Sequence, residues 1–88
     1  MDRIIVYATV DQNQFTFEQL VKILMNQNIN PRLQLIEHSL ARLKLGFVLG
    51  AEPNNAYRYQ VPLFREMILN ESPDTKLKIE INEWNSSI

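Results

Sequence analysis

A mixed α+β fold is predicted for this chain by three observations. Two helical stripes, over 17–27 and 31–45, are separated only by a short Asn-Ile-Asn-Pro break. Gly46 closes the second stripe, and two short runs follow, apolar over 47–51 and aromatic over 57–61, joined by a polar turn at 52–56. Pro62 then opens another helix.

The elements read in order as follows. Asp2 is an expected N-cap, and Ile4, Ile5, Ala8 and Thr9 recur at helical spacing, giving a first helix that ends near Asp11. The polar 11–14 stretch is a loop, and Gln14-Phe15-Thr16 can pair as a short third strand at the sheet edge. Thr16 begins a capping box, and Phe17, Leu20, Val21, Leu24 and Met25 form an apolar stripe behind it. In the 31–45 helix, opened by Pro31, the residues Leu33, Ile36, Leu40 and Leu43 share a side and should face that stripe. Gly46 fits a left-handed C-terminal cap. Pro53-Asn54-Asn55 supplies turn chemistry between the two strands. Phe64, Met67 and Ile68 share a face of the helix that ends at Leu69. Past the Ser72-Pro73-Asp74 break, Leu77, Ile79 and Ile81 alternate with polar residues, the pattern of a strand. This is the order of a winged helix, α1-β1-α2-α3-β2-β3-α4, over residues 1–71. Residues 72–88 form an extension with an additional C-terminal strand or a flexible tail.

Composition limits the function. Eighty-eight residues make one domain's worth of chain, burying about two-thirds of its unfolded surface. With 45% hydrophobic and 22% charged residues the chain is of folded rather than disordered composition. It has no cysteine, which removes disulfides and thiolate–zinc sites. No apolar run approaches a membrane span and no basic leader precedes one, so a cytoplasmic protein with no membrane partner is expected. Nine Lys and Arg against ten Asp and Glu give a net charge of −1. DNA-binding domains usually carry a basic surplus, because phosphate neutralisation supplies much of their affinity.

Two stretches, 40–47 (Leu-Ala-Arg-Leu-Lys-Leu-Gly-Phe) and 57–66 (Tyr-Arg-Tyr-Gln-Val-Pro-Leu-Phe-Arg-Glu), carry a family resemblance. They resemble the winged-helix domain at the C-terminal end of bacterial and archaeal AAA-like, STAND-type ATPases. There a leucine-rich helix end and glycine lead into a wing, and an aromatic strand runs into a Pro-Leu-Phe helix start. The chain departs from those ATPases in having only Gly46 and Gly50, too few for their phosphate-binding loop, so no nucleotide site carries over from the family. The resemblance implies a terminal domain or a stand-alone relative.

Catalysis is not expected. His38 and Ser39 are adjacent on a helix and point about 100° apart, so they cannot act as base and nucleophile together. Asp11, Glu18 and Glu37 are scattered, and Glu37 is the only acid near the single histidine. No metal or other cofactor is expected.

The binding face is expected on the 31–45 helix. Projection places Gln34, His38, Ala41, Arg42 and Leu45 opposite the core stripe, with Leu35 beside them. Gln34 could read adenine, and Arg42 could read guanine or bind phosphate, while Arg32 and Arg58 touch the backbone. The same face suits protein docking, since Leu35 and Leu45 would be wasted on phosphates and Glu37 would repel a duplex. Tyr57, Tyr59, Phe47 and Phe64 are expected to fill the core between hairpin and helix. Trp84 either caps the core or anchors a contact. Three functions follow. The first is a docking and regulatory module of an ATPase-like protein, the partner being a protein domain, an ATPase module of the same native chain or a separate protein. The second is a sequence-specific DNA-binding regulator. The third is an adaptor that dimerises by strand addition through 77–81.

Overall fold

The computed structural model describes residues 1–86. Helix α1 (Asp2–Thr9) is followed by β1 (Gln14–Thr16), α2 (Phe17–Asn26) and α3 (Leu33–Leu45). The hairpin β2 (Leu49–Glu52) and β3 (Ala56–Tyr59) comes next, then α4 (Pro62–Leu69) and α5 (Pro73–Ser86). The three strands form an antiparallel sheet in the order β1-β3-β2, with Phe15 opposite Tyr57 and Leu49 opposite Tyr59. The α+β class and the order of the first seven elements agree with the reading of the sequence.

Local chemistry explains most boundaries. The Thr16 hydroxyl accepts from the Gln19 backbone N–H at 3.1 Å, and the Gln19 side-chain Oε1 accepts from the Thr16 N–H at 2.9 Å. This capping box satisfies two donors that a helix start leaves open. Helix α2 ends in a Schellman turn: Asn28 adopts φ 62°, and the buried Ile29 donates its N–H to the Leu24 carbonyl. Asn54 and Asn55 take left-handed conformations at the hairpin tip, as side chains of this type tolerate. Pro62 occupies the first turn of α4, where its missing N–H costs nothing.

The core runs through the whole described chain. Ile4, Ile5, Val6 and Val10 meet Leu20 and Leu24 of α2, together with Ile36, Leu40 and Leu43 of α3. Phe15, Leu49 and Tyr59 close it from the sheet, and Phe15 stacks on Tyr57 with ring centroids 5.8 Å apart. The buried Tyr59 hydroxyl reaches the Val6 carbonyl at 3.2 Å and the Thr9 hydroxyl at 2.7 Å, tying the sheet to α1. Loss of water around this phenol pushes its pKa up to about 12.

Several expectations are corrected. The 76–82 alternation is part of α5, not a strand, so strand addition through 77–81 has no basis in this fold. Leu77 and Ile81 are four apart and buried, whereas Ile79 is 52% exposed, the pattern of a helix lying along α1. Residues 87 and 88 of the expected extension lie outside the described residues. Asp2 is not the N-cap but the first residue of α1, and its carboxylate turns to Arg42. Helix α3 begins at Leu33 rather than Pro31, which leaves Leu33 exposed. Met25 and Met67 are also exposed, each at the edge of its apolar stripe. The left-handed residue after α3 is Phe47 at φ 60°, while Gly46 has φ −84°. Phe47 therefore lies outside the strand and outside the core.

Candidate docking surface

Arg32, Gln34, Leu35 and His38, four of the six residues nominated from sequence, line one groove on the exposed side of α3. Its far wall is the end of α5, which contributes Trp84 and Asn85. The α2–α3 turn supplies the third side with Asn28, Ile29 and Asn30. The volume is about 520 Å³. Trp84 is half-buried against the core cluster, so it both caps the core and forms the groove wall.

The other two nominated residues are elsewhere and are occupied. Arg42 holds Asp2 in a two-pronged contact, Nε to Oδ2 at 3.0 Å and Nη2 to Oδ1 at 2.8 Å. A third bond joins Arg42 Nη2 to the buried Ser39 hydroxyl at 3.0 Å. The hydrogen bond from Arg42 holds the Asp2 carboxyl below its ordinary pKa, and the same bond raises that of Arg42. With Nε and Nη2 engaged, Arg42 has only Nη1 left for a phosphate, and Asp2 already offsets its charge. Arg58 lies in the central strand of the sheet with its Nε 3.3 Å from Glu52 Oε1. It does not line the groove.

Exposed apolar side chains dominate the far end of α3. Leu45, Phe47 and Leu63 are 80%, 76% and 75% exposed, and Val61 is exposed beside them in sequence. The Gln60 N–H donates to the Val48 carbonyl, one pair beyond the Leu49–Tyr59 register, which brings the chain at Phe47 and at Val61 to the same end of the hairpin. Here the chain closes a Schellman turn with the Phe47 N–H on the Lys44 carbonyl and the Val48 N–H on that of Leu43. A bulky residue at positive φ costs about 1 kcal/mol, and an exposed one recovers nothing by burial. Sequence reasoning placed Phe47 in the core because large apolar side chains are assigned there by default, and it gave Leu63 no role. The displaced left-handed position would have been the signal for Phe47.

Among the described residues, no three His, Asp or Glu side chains converge to hold a metal ion, and no helix is long and apolar enough to cross a membrane. Neither a known protein family, nor a characterised protein, nor a solved structure shows significant similarity to the chain.

Proposed function

We propose that the chain is a non-catalytic winged-helix module that acts by docking on a partner protein, a regulatory role of the kind the ATPase resemblance implies. One observation carries the reading. On the helix that would read DNA, the cation Arg42 is closed on Asp2, while Leu35 and Leu45 of the same side stand exposed. Apolar groups gain free energy against another protein and none against a phosphate backbone. The net charge of −1 supports the same conclusion, because sequence-independent DNA affinity needs a positive surface.

A photo-crosslinking amino acid placed at Leu35 in the natural host tests this. The expected adduct is destroyed by protease and resists nuclease. A nuclease-sensitive adduct would overturn docking in favour of a DNA-binding regulator.

A further inference from the structure

We propose that the groove between α3 and the end of α5 holds an extended segment of a partner protein, one carboxylate set beside a bulky apolar side chain. The inference rests on the docking reading and names the chemistry of the partner. The groove has an apolar floor and wall in Ile29, Leu35 and Trp84. Around them stand the amides of Asn28, Asn30, Gln34 and Asn85. None of these four side chains has a hydrogen-bond partner among the described residues. Each offers a donor and an acceptor, which is what the N–H and C=O groups of an extended peptide require.

Charge selects within that class. Arg3, Arg42, Arg58 and Lys76 each have a carboxylate partner; of the five cations without one among the described residues, Arg32 is the one that lines the groove. No Asp or Glu lines the groove. A carboxylate entering it therefore meets a cation without displacing an internal acid. One fixed cation matches one carboxylate. A phosphate carries nearly two negative charges and would find no second fixed cation in the lining. A second hollow touching α3, about 170 Å³ and lined by Val6, Leu43, Phe64 and Ile68, also has Asp2 and Arg3 in its wall, so a carboxylate entering it meets an acid already in place.

Trp84 is the only tryptophan of the chain and reports directly on occupancy. Its fluorescence should be followed while three mixtures of short capped peptides are added, randomised without Trp or Tyr except for a central Asp, Asn or Lys. The Asp mixture is expected to saturate the signal below millimolar concentration. The Asn mixture should bind about fivefold more weakly, the factor that accompanies one solvent-exposed ion pair. Arg32→Gln should abolish that difference while leaving the circular dichroism melt unchanged, since Arg32 is exposed. No saturation with any mixture, equal binding of Asp and Asn mixtures, or preference for Lys would overturn the proposal. Adenosine monophosphate binding more tightly than the Asp mixture would also overturn it. A nuclease-sensitive adduct at Leu35 sinks the docking reading instead, so the two failures are separable.

Discussion

At the scale of single residues, strain and burial leave measurable marks. Phe47 occupies a left-handed backbone position that asparagine tolerates, and its ring is mostly in solvent. Phe47→Asn is therefore expected to stabilise the fold by about 0.5–1 kcal/mol, raising the thermal midpoint by several degrees. A lower midpoint would show that the ring supports the core. Tyr59 marks the alkaline limit. Its folded pKa of about 12 lies above the ordinary 10.0, so the fold favours the neutral phenol. That contribution is complete below pH 10 and is lost as pH rises toward 12. Tyr59→Phe should flatten this alkaline loss in a melt series. At neutral pH it should cost only about 1 kcal/mol, because neither hydroxyl partner is orphaned. Thr9 still donates to the Ile5 carbonyl, and the Val6 carbonyl still accepts from Val10.

At the scale of elements, legibility followed the range of the interaction that decides the structure. The Thr16–Gln19 capping box, the Asn-rich hairpin tip and Pro62 are set by neighbours a few residues away, and all were visible in the sequence. The 76–82 segment is decided by tertiary packing on α1. Its alternating Lys-Leu-Lys-Ile-Glu-Ile-Asn fits a strand by period, yet the Leu77–Ile81–Trp84 spacing fits a helix equally well. The packing selects the helix, and this has a sharp consequence. Ile81→Ala should cost about 2–4 kcal/mol, while Ile79→Ala should stay within about 0.5 kcal/mol, checked by denaturant unfolding. Equal losses at the two positions would mean they share a face, as in a strand. The candidate surface shows the same division. Periodicity placed Gln34 and His38, with Leu35 beside them, on the outward side of α3, and the structure brings them into one groove with Arg32 from the helix start. It could not show that Asp2, forty residues earlier, closes on Arg42, nor that Trp84 returns to form the opposite wall.

For the whole molecule, the distribution of charge matters more than its sum. Pairing of Arg42 with Asp2 and of Arg58 with Glu52 removes the two cations best placed to meet a duplex. Around the α3–β2 turn and the start of α4, Leu45, Phe47, Val61 and Leu63 stand exposed. Such a patch associates by excluding water, so binding through it should be insensitive to salt, whereas the Arg32 contact in the groove should weaken as salt rises. The most direct measurement is a titration of the folded chain into labelled generic duplex DNA at low and high salt, with an Arg42→Glu/Arg58→Glu variant beside it. Docking as the function requires no binding at tens of micromolar even in low salt, for both proteins. Affinity that falls steeply with salt and vanishes in the variant would contradict it and make the α3 face a DNA-reading surface.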